Sequence, residues 1–170
     1  RIAARPSRIL VRLSEPRRAS TLAQQRINEG VLSPALYLEL SWAWEAQGQE
    51  AAAMRGLQEG LESFPDDPAL LETAAARADA AGNHDVALDL YTRAIPHHPS
   101  PELMHEAIAR VATQADLHEL AIRHARLAVT IAGDRDAKLY RVLYDALLAR
   151  GAADGARGAP ERSRRALARE

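Results

Sequence analysis

Ser33-Pro34-Ala35-Leu36, Asp67-Pro68-Ala69-Leu70 and Ser100-Pro101-Glu102-Leu103 are one phrase written three times, with 34 residues from Pro34 to Pro68 and 33 from Pro68 to Pro101. A period in that range is the mark of a helical solenoid, because a helical hairpin cannot bury its apolar face alone and does so against its neighbours. Each phrase places Pro where a helix begins and its missing amide proton costs nothing, behind a Ser or Asp able to cap. Between the phrases the pattern reads helix, turn, helix. Leu36, Leu40 and Trp44 recur at four-residue spacing, Gly48 breaks the run, and Met54, Leu57 and Leu61 form the next stripe before Phe64-Pro65. In the second unit Leu70, Leu71, Ala74 and Ala78 lead to Gly82-Asn83, then Ala87, Leu88, Tyr91 and Ile95 lead to Pro99. The third runs through Leu103, Met104, Ala107 and Val111 to a turn at Ala115-Asp116, then Ala121, Ile122, Ala125 and Val129 to Gly133-Asp134. A fourth first-helix carries Leu139, Tyr140, Leu143, Leu147 and Leu148 and is expected to stop at Gly151.

Composition agrees with this periodicity. The chain is 47% hydrophobic but only 4% aromatic, and its apolar residues are mostly Ala and Leu, both strong helix formers. An all-α fold follows, in thin layers of small side chains. Residues 17–30 fit one amphipathic helix through Ala19, Leu22, Ala23 and Ile27, the second helix of a degenerate leading unit. Pro6 to Leu13 fits an extended or a helical segment, and the Gly/Ala-rich residues 151–160 are expected to form a loose loop before a basic end. The expected organisation is an N-terminal segment over 1–33, repeats over 34–67, 68–100, 101–134 and a partial one over 135–151, and a basic C-terminal segment over 152–170.

The repeats resemble the tetratricopeptide repeat (TPR) family. Tyr37, Leu40, Ser41, Trp44, Gly48, Ala53, Leu57, Gly60 and Pro65 match its motif in the first unit, and Leu71, Ala74, Ala75, Ala78, Gly82, Ala87, Tyr91, Ala94 and Pro99 match it in the second. In the third, Met104, Ala107, Ile108 and Val111 match, but Ala115 stands where Gly is usual, and Ala121, Ala125 and Ala128 fit only after a one-residue shift. In the fourth, Tyr144 occupies a position that the family keeps small, so this last helix is expected to pack differently or to cap the stack. The resemblance implies a right-handed α-solenoid of TPR helical hairpins. It also implies small residues at Ser41, Ala53, Ala75 and Ala87 because the two helices of a hairpin cross there.

It further implies that the first helices line a concave groove. Carried over residue by residue, the candidate partner contacts are Leu38, Glu39, Trp42, Glu45, Glu72, Asp79, His105, Glu106 and Arg141. Such a trough is acidic through its middle, and basic side chains of an extended peptide or a helix would meet Glu39, Glu72, Asp79 and Glu106. Trp44 fills the aromatic core position, and Trp42, two residues earlier, points elsewhere on a helix. It faces either the groove or an end interface, and so a partner, or it packs against the N-terminal helix. The basic clamp by which some family members hold a chaperone's C-terminal carboxylate is absent from the matching positions, which are apolar or acidic: Ala35, Leu38, Glu39, Trp42, Glu72 and Ala76.

Charge is unevenly spread under a net of −1: residues 34–134 hold sixteen acidic and six basic side chains, and both ends are basic. The acidic body repels nucleic acid, and no specific nucleic-acid contact is expected. The Arg157, Arg162, Arg164, Arg165 and Arg169 end is a solvated tail or a foot on a membrane surface or on nucleic acid. Catalysis has no foothold. Glu59/Glu62 and Asp85/Asp89 lie on polar helix faces, and His97, His98, His105, His118 and His124 lack the Cys or carboxylate spacing of a metal site. With no Cys there is no thiolate or disulfide chemistry, and no cofactor or metal is expected.

The expected role is a non-enzymatic protein-interaction scaffold or adaptor, perceived as a rigid surface holding a protein or peptide. Two alternatives stay open: a regulatory or accessory domain of a larger enzyme, and a self-assembling scaffold, a homo-oligomer, whose irregular end repeats stack on a second copy. The Ala- and Arg-rich, Lys-poor composition suggests a GC-rich bacterial genome. The opening at Arg1 leaves a mature form or an excised domain open, and with it a cytoplasmic or an extracytoplasmic location with a removed leader or anchor.

Overall fold

Each recurring Pro sits at the first turn of a helix. A computed structural model describes residues 15–133 and 137–167, so the Pro6 to Leu13 segment, Asp134 and Arg169 lie outside the described residues. Among the described residues eight helices follow in chain order: α1 (Pro16–Asn28), α2 (Pro34–Glu45), α3 (Glu50–Ser63), α4 (Pro68–Ala80), α5 (His84–Ala94), α6 (Pro101–Gln114), α7 (His118–Ala132) and α8 (Ala137–Leu167). The Ser33 hydroxyl accepts from the Leu36 amide at 3.4 Å, and Asp67 Oδ1 accepts from Ala69 and Leu70 at 3.1 and 3.0 Å, each satisfying an orphan amide of the first turn. Ser100 does not cap α6 in this way. No described helix is long and apolar enough to cross a membrane.

The three hairpin turns are built alike. Gly48, Gly82 and Asp116 take positive φ of 71°, 75° and 58°, and they stand 34 residues apart. The next amide in each case reaches back over the end of the helix: Gln49 to Trp44, Asn83 to Ala78 and Leu117 to Ala112, all at 2.8 Å, which is the closing bond of a Schellman motif. The one-residue slip of the third repeat is therefore an extra residue in α6. The left-handed residue of this turn is Asp116, and Ala115 keeps negative φ. Asp tolerates that conformation better than most residues but still crowds its own Cβ. Asp116→Gly is expected to raise stability by about 0.5–1 kcal/mol in urea unfolding, and Asp116→Val to lower it by more than that.

The chain divides into two compact units, Arg1–Pro99 and Ser100–Glu170. In the first, α2 pairs with α3 and α4 with α5, while α4 also packs on α2 and α3. Ser41, Ala53, Ala75 and Ala87 are fully buried at the hairpin crossings. There is little room to spare: a Cβ on Gly60 would lie 2.9 Å from Tyr37 Cβ, and one on Gly56 would lie 2.8 Å from the edge of the Trp44 ring. α1 packs on α2 as a preceding second helix would. Ala23, Leu36 and Leu40 form a buried cluster flanked by Ile27 and Trp44, and the Gln47 side-chain amide donates to the carbonyls of Pro16 and Ala43 and to the Ser20 hydroxyl.

In the second unit α6 and α7 form a hairpin, and α8 packs on both. Its core includes Met104, Ile108, Val111, Ala121, Ile122, Ala125, Leu139 and Ala146. The expected stop at Gly151 and the loose loop over 151–160 do not occur, since α8 continues to Leu167. Gly151 is not among the residues at positive φ, so it does not terminate the helix as Gly48 and Gly82 do. The Ala residues between Ala149 and Ala159 supply the highest helix propensity available, which offsets the roughly 1 kcal/mol that each interior Gly costs.

Candidate peptide-binding cleft

Two tryptophans two residues apart on α2 are sent in different directions by the helical period, and this separates core from surface. Trp44 lies against α1 and over Gly56. Trp42, half-buried, lines an open cleft of about 660 Å³ in the first unit. Trp42 and Glu45 come from α2, Glu50, Ala51 and Met54 from α3, and Glu72, Thr73, Ala76, Arg77 and Ala80 from α4, with Ala81 and Asn83 from the following turn. The small side chains at 51, 76, 80 and 81 open the space that Trp42 and Met54 border. Local sequence thus shapes the cavity: bulk on α2, small residues on α4.

Three carboxylates and one guanidinium border the cleft. Arg77 donates to Glu45 Oε2 at 2.7 Å, across two successive repeats. Glu72 Oε2 lies 3.4 Å from His98 Nε2, and just beyond the cleft Asp79 Oδ1 lies 3.3 Å from His84 Nδ1. Glu50 stands in the first turn of α3, where the helix dipole favours a negative charge.

The remaining sequence candidates divide by burial and by unit. Leu38 and Glu39 are buried in the first unit, with 8% and 3% of their surface exposed, so neither offers a side chain for contact as folded. In the second unit His105 is buried too, with its Nδ1 3.0 Å from His124 Nδ1. Glu106 pairs with Lys138 at 2.6 Å, and Arg141 pairs with Asp145 at 3.2 Å on an exposed face of α8. Trp42, Glu45 and Glu72 are the candidates that the structure brings together. The acidic candidates mostly sit beside a cation or an imidazole of the chain itself. What sequence reasoning missed is the opposite wall, Glu50, Ala51 and Met54, together with Arg77 and Asn83. The first-helix positions of the repeat do not include this wall, and Met54 falls on the apolar stripe of α3. Among the described residues no three His, Cys, Asp or Glu side chains could hold a metal ion.

Hairpins of this build define an all-α fold of the right-handed α-solenoid class, resembling TPR-like helical-repeat proteins. No family model matches the chain, and no curated protein matches it. Among solved structures, the chain is similar to MamA of MSR-1, with 14% identity, a TM-score of 0.68 and 94% of each chain covered. It is similar to MamA of AMB-1, with 14% identity and a TM-score of 0.69 over 85% of this chain and 79% of that one. A third likeness is to the nearly identical TPR-like repeats of a Podosopora anserina chain described as a kinesin light chain, with 20% identity and a TM-score of 0.70 over 98% of this chain and 93% of that one. At such identities the likeness is one of fold.

Proposed function

We propose that the chain is a non-catalytic protein-interaction scaffold, and that its partner presents a peptide segment whose basic side chain enters the Trp42 cleft. The observation that supports this reading is the cleft itself: an aromatic and a thioether on its walls, with three carboxylates against one guanidinium around them. Its volume of about 660 Å³ lies in the range of pockets that enclose a ligand or a large side chain. A Lys or Arg there gains the ring face of Trp42 and the field of Glu50 and Glu72, while its aliphatic stem covers Ala76 and Ala80. Glu45 is held in place by Arg77 and so presents its carboxylate without further ordering.

Peptides selected from a random display library on the full chain test the reading. Enrichment of Lys or Arg beside apolar residues is expected. For a selected peptide, Trp42→Ala is expected to weaken binding at least tenfold, about 1.4 kcal/mol, and Glu72→Gln to weaken it less while reducing its salt dependence. Acidic peptides in the selection, or equal affinity for wild type and Trp42→Ala, would overturn it.

A further inference from the structure

Tyr140, Tyr144 and Leu148 lie one helical turn apart on α8 and are 43%, 57% and 54% exposed. Two aromatics and a leucine in one exposed row stand out because of where they fall in the repeat. Tyr140 and Tyr144 occupy the register of Tyr37 and Ser41 on α2 and of Leu71 and Ala75 on α4, while Leu148 falls at the position of Glu45 and Asp79. There the following helix of the hairpin covers the face: Tyr37 is 4% exposed and Ser41 0%. Among the described residues no helix returns along α8, which runs straight on to Leu167. Among the described residues its hairpin face is thus exposed, and the bulk of Tyr144 at a position that is small in the first two repeats opposes the close backbone approach their hairpins make.

We propose that this face is covered by the same face of a second copy, in an antiparallel two-fold contact between two α8 helices. Charge selects this occupant. Arg141 and Asp145 lie along one edge of the row and are paired with each other at 3.2 Å. An antiparallel two-fold contact sets that edge of one helix beside the same edge of the other, so Arg141 of each copy meets Asp145 of the other. The row is thus self-complementary in charge. The surface belongs to the second unit, and the proposal does not rest on the cleft of the first.

The test is the solution mass of the full chain by sedimentation equilibrium over a wide concentration range. The wild type is expected to approach twice its 18.5 kDa monomer mass. Tyr144→Glu is expected to weaken the dimer at least tenfold, and Arg141→Asp to weaken it by placing four carboxylates together. Arg141→Asp combined with Asp145→Arg is expected to restore the wild-type mass. Both charge variants lie at exposed positions and keep the test valid where Tyr144→Glu fails to fold. A monomer at every concentration overturns the proposal, as does a dimer indifferent to Arg141→Asp; either result leaves the face to a foreign partner or to the chain's own end.

Discussion

Gly60→Ala is expected to destabilise the chain by about 1–2 kcal/mol and Gly60→Leu by about 3 kcal/mol or more, although Gly60 lies inside α3, where Ala alone should stabilise by roughly 1 kcal/mol. The reversal of sign comes from space. The added Cβ would stand 2.9 Å from Tyr37 Cβ, 3.0 Å from Tyr37 Cγ and 3.2 Å from Leu70 Cδ2. The first two belong to the rigid stem of a buried ring whose other neighbour is Phe64, edge-on with centroids 6.4 Å apart. Such a stem retreats only if α2 moves away from α3. Gly151→Ala supplies the comparison, since nothing lies within 4 Å of its added methyl group on α8, and it is expected to stabilise by about 0.5–1 kcal/mol. Urea unfolding of both variants separates the effects. Equal stabilisation at the two sites would mean that the α2–α3 crossing is looser than described.

Lowering the pH from about 6.5 to 4 is expected to remove about 2–3 kcal/mol of stability through one buried pair. His105 Nδ1 and His124 Nδ1 lie 3.0 Å apart with ring centroids at 5.0 Å. Between neutral rings one Nδ1 carries the proton and donates while the other accepts. Protonating the second ring puts two donors face to face. Burial lowers the affinity of His105 for its proton, and burial, His105 and Arg123 together bring His124 down to about 4. Unfolded His titrates near 6.5. Below that pH the unfolded chain therefore binds more protons than the folded one, so the contribution is complete above about 6.5 and is lost as pH falls through the folded value. His124→Leu removes the titration. Its unfolding free energy is expected to vary less between pH 6.5 and 5 than that of the wild type, above the range where most carboxylates titrate. Identical slopes for the two proteins would exclude the pair as the source.

The fold was legible because its signals are local. Pro34, Pro68 and Pro101 open α2, α4 and α6, Gly48 and Gly82 close two of the first helices, and the small residues at 41, 53, 75 and 87 are buried together. The separation of Trp42 from Trp44 also followed from the helical period alone. Where local signals conflict, sequence reasoning erred. At residues 151–160 Gly suggested a break, but Ala propensity and the absence of a left-handed residue carried α8 onward. At the third turn Asp116 takes a conformation that its identity does not announce. The candidate site was less legible still, because its electrostatics join residues far apart in sequence. Arg77 answers Glu45 across a whole repeat, Lys138 answers Glu106, and His124 answers His105. Positions read one helix at a time do not show which of these residues pair, nor the wall that α3 contributes to the cleft.

Within each unit, every substantial helix contact joins elements that are neighbours or next neighbours along the chain. Folding such a unit closes only short loops, so little entropy is lost before contacts begin to form, and topologies of this kind fold in microseconds to milliseconds. The hairpin of α2 and α3 can dock before α5 has left the ribosome, and among the described helices no early one must wait for a distant later one to find its place. Exposed apolar rows on partly built repeats are thereby short-lived during synthesis, which limits the interval in which they meet other nascent chains.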